Sequence, residues 1–276
     1  MADQKLYLTD FEERRQKIRR RWRLGLLVLG VAMVLFGGTW FLLWSPVFRV
    51  QEVRVEGISR LPADDVRQFV QDIVMKHSRL ARWFGADYIF AWPNEIAGDD
   101  LVDLPKARTL RIQTSIQDRI AVVTVVERGP YGIWCLMKHN PPACSWFEED
   151  GTVFEPAPEA EGTLIRVVRD YATENIAFNA SVLPGIFLPH LRGVFDVLDG
   201  SGFAPREVRY EDPGLQELRV LTYEGPELFF SLRFSPAYAL SAIQNVREKD
   251  AAGTLFPRLR DMQYIDFRVE NRAYYR

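Results

Sequence analysis

The sequence predicts an α+β protein with a single membrane-spanning helix, and three observations support this fold class. Residues 24–44 contain no charged side chain. Strand-like and helix-like patterns then follow in the order β-α-α-β-β up to residue 128, and mainly strand-like patterns follow from residue 129. We therefore expect a cytoplasmic basic tail at 1–23, a transmembrane helix at 24–44, a mixed module at 48–128 and a mainly antiparallel β domain with flanking helices at 129–276.

The composition is that of a folded protein with enough apolar material for a core. The 276 residues are 47% hydrophobic and carry a formal net charge of −2, which excludes disordered chains and small disulfide-dense scaffolds. The small net charge also argues against a nucleic-acid partner. Charge is nevertheless uneven, because residues 1–23 sum to +4 and the remaining 253 residues sum to −6.

The charge-free run from Leu24 to Trp44 predicts an uncleaved membrane anchor. A helix of 21 residues is about 31 Å long, which matches the hydrocarbon core of a bilayer. A buried helix of a soluble core is rarely apolar on every face over this length. A cleaved signal peptide is the other alternative, but the run exceeds the usual ~7–15 apolar residues and no small-x-small cleavage site follows it.

Basic residues before the anchor predict its orientation. They include Arg19, Arg20, Arg21 and Arg23, whereas acidic and basic residues are mixed after the anchor. The positive-inside rule therefore keeps the N-terminus cytoplasmic and places the bulk of the chain outside the cytoplasm, in a periplasm-like space. The same arginines could bind anionic lipid, but their role in topology already accounts for them.

The first module begins directly after the anchor. We expect a strand at 48–57, and then a helix opened by Pro62 whose apolar residues from Val66 to Val74 form one stripe. This stripe is more typical of a core than of a partner groove. A second, less regular helix is predicted within 86–104, and strands at 109–116 and 120–127 are predicted to form a hairpin.

The second module is predicted to consist mainly of strands. Asp150-Gly151 is a turn signal ahead of a short strand. Helices are expected at 189–198 and 237–249, and further strands at 207–210, 218–223, 228–234 and 265–269. In the strand at 228–234 apolar residues alternate, so that one face is predicted to be buried.

Two cysteines, Cys135 and Cys144, bracket a loop that contains Pro141-Pro142. In an oxidising compartment they are predicted to form a disulfide between two neighbouring strands. Free thiols are one alternative. A metal site with His139 is another, although this spacing matches no usual zinc motif and lacks a fourth ligand.

Chemistry-bearing motifs are scarce. The three histidines are isolated from one another, and no nucleophile, phosphate-loop or metal-binding motif occurs in the sequence. Asp99-Asp100 and the run 148–150 are neighbouring carboxylates that could in principle act on glycan, but they are more typical of solvated turns. We therefore expect no enzymatic activity, no cofactor and no small-molecule substrate.

Several motifs resemble those of one family when they are taken in order. They are the Val-x-Val-Glu-Gly strand ending at Gly57, the Pro62 helix, Leu104-Pro105, Glu127-Arg128-Gly129-Pro130, the Asp-Gly-x-Val-Phe run ending at Phe154, Leu183-Pro184 and the closing Ile-Asp-Phe-Arg strand at 265–268. The chain thus resembles the FtsQ/DivIB family of bacterial cell-division proteins, with a POTRA domain at 48–128 and a C-terminal β domain. It departs from the family in a longer segment at 77–85 and in a hairpin turn, 117–119, that lacks proline.

The resemblance implies a bitopic scaffold of the divisome in the inner membrane at the division septum. Such a protein binds FtsB-like and FtsL-like bitopic partners and helps recruit and regulate the FtsW/FtsI-like synthase of septal peptidoglycan. In that family the FtsB-type partner adds a strand at the last strands of the β domain.

A terminal edge strand could accept a partner strand, because its backbone N–H and C=O groups are unpaired. We expect partner contacts at the strand and at the two tyrosines of the tail that follows it: Tyr264, Asp266, Phe267, Arg268, Tyr274 and Tyr275. The alternative is that this strand merely closes the sheet and that the tail frays.

Two other functions remain open from the sequence. A cell-wall-binding module or a peptidoglycan-modifying enzyme anchored in the inner membrane is the main alternative. An outer-membrane transporter with POTRA domains is less consistent with the sequence, because the residues after Arg128 lack a long series of alternating strands.

Overall fold

The structure is a computed structural model and describes residues 3–223, 225–249 and 259–276. The chain forms two compact units. The first comprises residues 1–56, 67–94 and 112–123, and the second comprises residues 57–66, 95–111 and 124–276. The predicted domain boundary at 128/129 stays a prediction.

Helix α1 extends over Asp3–Trp44. Within the described residues it contains the one segment, Trp22–Trp44, that is long and apolar enough to span a membrane. The predicted apolar helix is confirmed, but the helix begins well before it. The preceding residues are rich in Glu, Gln, Lys and Arg, which all favour helix.

A four-stranded sheet follows with the order β1-β4-β3-β2. Its strands are β1 (Glu52–Glu56), β2 (Glu95–Ala97), β3 (Ala107–Ser115) and β4 (Ile120–Glu127). Between β1 and β2 lie helices α2 (Ala63–His77) and α3 (Arg79–Phe84). Short 3₁₀ helices occur at Pro46–Phe48, Ile89–Ala91 and Gly98–Leu101.

The prediction of a second helix within 86–104 was wrong. The helix α3 lies earlier, because the Ser78 hydroxyl caps it by accepting a hydrogen bond from the Ala81 N–H at 3.2 Å, and it ends at Gly85 with a positive φ of 98°. The residues from Ile89 to Leu101 instead form two 3₁₀ turns and the short strand β2. The predicted first strand, first helix and hairpin are confirmed.

Gly57 ends β1 and requires glycine. Its φ is +79°, and a Cβ at this position would lie 2.5 Å from the Val125 carbonyl oxygen. A side chain would therefore be strained by conformation and blocked by backbone. This requirement explains the glycine of the Val-x-Val-Glu-Gly motif.

The second unit contains a nine-stranded sheet with the order β13-β12-β11-β10-β9-β8-β5-β6-β7. The strands are β5 (Gly132–Leu136), β6 (Ala143–Phe147), β7 (Val153–Pro156), β8 (Val167–Asp170), β9 (Pro205–Tyr210), β10 (Glu217–Thr222), β11 (Glu227–Ser231), β12 (Tyr264–Val269) and β13 (Arg272–Tyr275). Five neighbouring pairs are antiparallel, and three, β5–β8, β8–β9 and β11–β12, are parallel. The sheet is therefore mixed.

Helices α4 (Leu188–Ser201) and α5 (Ala237–Lys249) both contribute to the core of this unit. Their buried residues include Leu191, Val194 and Ile243, and they pack with inward residues of the strands such as Leu228 and Phe230. The predicted helices and the inward alternation of the third strand are confirmed.

The C-terminal residues differ from the expectation. The strand predicted to be terminal, β12, lies between β11 and β13, because the last residues turn back and pair with it. The turn is the two-residue loop Glu270-Asn271, in which Asn271 has φ of 58°. Asparagine tolerates this left-handed conformation, which tight hairpins require.

Candidate partner-binding edge

The two edge strands of the nine-stranded sheet differ in whether their outward backbone N–H and C=O groups have hydrogen-bond partners. At β7, the Val153 N–H donates to the Ala180 carbonyl at 2.9 Å, and the Asn179 N–H donates to the Val153 carbonyl at 2.7 Å. A further bridge joins Thr152 to Ser181. The amino-terminal end of the β7 edge, at Thr152 and Val153, is therefore already covered by a loop of the same unit.

Strand β13 forms the opposite edge, and no other strand among the described residues pairs with its outer side. On its inner side, the Gln263 N–H donates to the Arg276 carbonyl at 2.7 Å and the Arg276 N–H donates to the Tyr264 carbonyl at 3.3 Å. Backbone direction alternates along a strand. The N–H and C=O groups of Tyr275 and Ala273 consequently point away from the sheet.

Side chains of β13 also alternate between the two faces. Ala273 packs against the core, whereas Tyr274 lies opposite Asp266 and is 48% exposed. Tyr275 lies opposite Ile265 and is 67% exposed. The Arg272 guanidinium donates to the Tyr274 hydroxyl at 3.5 Å, and this hydrogen bond raises the pKa of Arg272. Two exposed tyrosines thus flank the open backbone.

The face of the sheet that contains Tyr274 is rich in charge. The strand registers place one residue from each of six neighbouring strands in a row: Arg169, Arg209, Arg219, Phe229, Asp266 and Tyr274. Arg209 contacts Glu207 at 2.8 Å and Arg219 contacts Glu227 at 2.8 Å. Ion pairs within the sheet therefore compensate neighbouring arginines of like charge.

Arg268 organises the part of this face next to β13. Its Nη2 lies 2.7 Å from Asp266 Oδ2, its Nη1 lies 2.8 Å from Glu217 Oε2, and its guanidinium lies 4.9 Å from the centre of the Phe229 ring. Burial raises the pKa of Asp266, but the hydrogen bonds from Arg268 outweigh it and the net shift is downward. The hydrogen bonds that Arg268 donates to Asp266 and Glu217 raise the pKa of Arg268.

Two other predicted contact residues lie on opposite faces of β12. The Tyr264 ring packs edge-on against Phe229, with ring centroids 6.2 Å apart. Phe267 is buried and stacks on Phe230 at 5.5 Å. The Phe267 side chain is therefore part of the core and is not displayed at the surface.

In the structure, the predicted residues thus lie at one end of the nine-stranded sheet. The edge strand there is β13, whereas the sequence predicted β12. Tyr264, Asp266 and Arg268 lie on the charged face, one strand inside the position that the sequence indicated. The open backbone belongs to β13, which sequence analysis treated as a tail. The Glu270-Asn271 turn was the signal that could have revealed it.

Cys135 and Cys144 are joined in a disulfide, as predicted. They lie directly opposite each other on the antiparallel strands β5 and β6, and their Cα atoms are 3.9 Å apart. The bond therefore links two strands across the loop that connects them.

The carboxylates of the run 148–150 are engaged in local contacts. Glu148 is buried and pairs with the buried Arg128 at 2.7 Å, and Glu149 pairs with Arg192 at 2.6 Å. Asp150 accepts a hydrogen bond from the Thr152 N–H at 2.9 Å. Within the described residues, no group of three or more His, Cys, Asp or Glu side chains could hold a metal ion.

The predicted topology residues Arg19, Arg20, Arg21 and Arg23 lie on α1, at the amino-terminal end of its apolar segment. A continuous helix therefore connects the basic residues to that segment.

Comparison of the sequence with known proteins identified no relative. No protein-family model matches the sequence, and no curated protein matches it.

Proposed function

We propose that this chain is a bitopic scaffold of the bacterial divisome, of the FtsQ/DivIB type. In this proposal it binds FtsB-like and FtsL-like partners outside the cytoplasm at the septum of the inner membrane. It thereby helps recruit and regulate an FtsW/FtsI-like synthase of septal peptidoglycan.

The arrangement of the chain supports a membrane-anchored scaffold. One helix long and apolar enough to span a membrane precedes the folded units, and basic residues precede its apolar segment. The positive-inside rule then favours a cytoplasmic N-terminus.

The elements after the helix support a POTRA-like module. The order β1-α2-α3-β2-β3-β4 differs from the expected β-α-α-β-β by one short strand, β2. Gly57, which ends the motif strand, has a conformation that requires glycine.

The single observation that carries the proposal is the open edge of β13. An incoming strand could pair with the outward backbone groups of Ala273 and Tyr275, and so extend the nine-stranded sheet. At the opposite edge, residues 179–182 already cover the amino-terminal end of β7. The two exposed tyrosines and the Arg268 cluster beside β13 would then give side-chain contacts of types enriched at interfaces.

The alternative of a peptidoglycan-modifying enzyme is not proposed. Such an enzyme needs convergent carboxylates that are available to substrate. Glu148 and Glu149 each pair with an arginine, and Asp150 caps a local turn.

A proline scan of β13 tests the proposal. Tyr275→Pro removes an outward N–H, whereas Tyr275→Ala removes the same side chain and keeps that N–H. We expect Tyr275→Pro to abolish capture of the FtsB-like partner encoded in the same genome by the full chain in detergent. We expect Tyr275→Ala to weaken capture only partly.

Equal capture by the wild type and by Tyr275→Pro would contradict strand addition at β13. Circular dichroism spectra of both variants serve as the control for folding. A Pro variant with an unchanged spectrum and lost capture supports the proposal.

A further inference from the structure

Four exposed apolar side chains belong to segments that contact the end of helix α1 or directly follow it. These side chains, here called the collar, are Val47, Leu80, Trp83 and Phe90. All four belong to the first unit, which also contains α1. Trp83 is 84% exposed and Phe90 is 50% exposed, although burial of a large apolar side chain is favourable.

The segment that carries the collar is fastened to the end of α1. The Phe84 ring packs edge-on against Trp44 with centroids 6.0 Å apart, and the Tyr88 hydroxyl donates to the Leu42 carbonyl at 3.5 Å. Arg49 pairs with Asp87 at 2.6 Å. The collar therefore holds a defined position next to the last turn of the apolar helix.

Helix α3 explains why Leu80 and Trp83 point outward. Ala81 is fully buried and Phe84 is half-buried, so these two residues, three apart, form the inward side of the helix. Leu80 and Trp83 are also three apart and occupy another side. Arg79 and Arg82 are exposed next to them.

The position and chemistry of the collar indicate a lipid surface. Trp40 and Trp44 stack at 4.7 Å at the end of the apolar helix, where tryptophan favours the interface between lipid and water. Exposed arginines beside apolar side chains suit the same zone, because their stems contact acyl chains while the guanidinium groups reach lipid phosphates.

We propose that the collar lies in the extracytoplasmic interface of the bilayer and seats the first unit on the membrane. Arg79 and Arg82 bind phospholipid phosphates there. The inference depends on the proposed membrane span of α1 but not on partner binding at β13. The segment 77–85, in which the sequence departs from the FtsQ/DivIB pattern, provides most of this contact.

The depth of a spin label in the bilayer tests the inference. The described residues contain no free cysteine, so a label reacts at one introduced cysteine. The full chain is reconstituted in vesicles of phosphatidylcholine and phosphatidylglycerol with a nitroxide at Leu80→Cys. A second variant is labelled at Phe90→Cys.

The matched control is Gln68→Cys, an exposed position on α2. It lies nine residues before His77, about 13 Å along the helix axis. We expect the ratio of oxygen to aqueous nickel accessibility to be several-fold higher at both collar positions than at residue 68. A circular dichroism spectrum that matches the wild type shows that the fold of each labelled variant is intact.

Equal aqueous accessibility at positions 68, 80 and 90 would overturn the inference. Protection of positions 80 and 90 that appears only after a partner protein is added would also overturn it, because the collar would then be a protein contact. Capture of the FtsB-like partner by the same samples separates this result from the proposed function. That capture depends on β13 and is expected to persist.

Discussion

Glu127 accepts hydrogen bonds from a single turn that follows β1. The donors are the Ser59 N–H and hydroxyl, both at 2.8 Å, the Arg60 N–H at 2.9 Å and the Leu61 N–H at 3.0 Å. Burial raises the pKa of Glu127, but the hydrogen bonds outweigh it and lower the pKa from 4.5 to about 2. The carboxylate form therefore stabilises the folded state.

We expect Glu127→Gln to lower the free energy of unfolding by about 1–3 kcal/mol at neutral pH, because hydrogen bonds to a charged acceptor are lost. The folded pKa lies below the unfolded pKa, so this contribution is complete above pH 4.5 and is lost as the pH falls toward 2. Urea unfolding of the full chain in detergent, at pH 7 and at pH 3, measures both effects.

Glu127→Gln is also the control for the pH effect, because it cannot titrate at this position. The stability difference between wild type and variant should shrink between pH 4.5 and pH 2. A difference that stays constant over this range would show that the carboxylate charge plays no part.

The sequence motif at 127–130 contains two residues, Glu127 and Arg128, whose structural roles could not be predicted from the sequence. From sequence alone, the Glu-Arg-Gly-Pro motif at 127–130 is a landmark of the family resemblance. In the structure, Glu127 binds the turn at 59–61, and Arg128 pairs with Glu148. These partners are distant in sequence, and no local pattern identifies them.

On strand β11, the side chains from Glu227 to Phe230 alternate between two environments. Leu228 and Phe230 are fully buried in the core, whereas Phe229 lies on the charged face between Arg219 and Arg268. Neighbouring phenylalanines on one strand therefore have different energetic roles.

We expect Phe230→Ala to reduce the free energy of unfolding by about 3–5 kcal/mol, because it leaves a cavity in a packed core. Phe229→Ala is the matched control and should cost clearly less, since the ring it removes is only partly buried. Thermal or urea unfolding compares the two variants. Equal losses would contradict the assignment of Phe230 to the core and Phe229 to the open face.

Elements with strong local signals were predictable. Helix α5 has the predicted bounds, and β4 does as well, because apolar periodicity and flanking turn residues define both. Strand β2 has three residues and follows a proline, so its pattern is too short to detect. Strand β13 was missed because its pairing depends on one asparagine at positive φ.

For the whole molecule, the position of the C-terminus relative to the membrane is a direct prediction. Basic residues before the apolar helix favour a cytoplasmic N-terminus, so Arg276 is expected outside the cytoplasm. Alkaline phosphatase fused after Arg276 should be active, and a fusion before residue 24 should be inactive. Activity of a reporter that functions only in the cytoplasm, when it is fused after Arg276, would contradict this topology.

The sequence predicted partner contacts along β12, whereas the structure places the open edge of the sheet on β13. Alternation along 264–268 separates Asp266 and Arg268 from Phe267, and the structure confirms this separation. The pairing that was not predicted, β12 with β13, is a local hairpin, and its turn, Glu270-Asn271, lacks the Asn-Gly or Asp-Gly signal of a two-residue hairpin. The sequence therefore indicated the correct end of the sheet but placed the open backbone one strand too far inside.

The central claim is that a partner strand pairs with the outer backbone of β13. Hydrogen exchange at single-residue resolution, on the full chain with and without the FtsB-like partner, measures this pairing directly. We predict that the amides of Ala273 and Tyr275 exchange many-fold more slowly when the partner is bound, while the Val153 amide, already bonded to Ala180 at the β7 edge, does not change. Unchanged exchange at Ala273 and Tyr275 in a complex that has formed would contradict the claim.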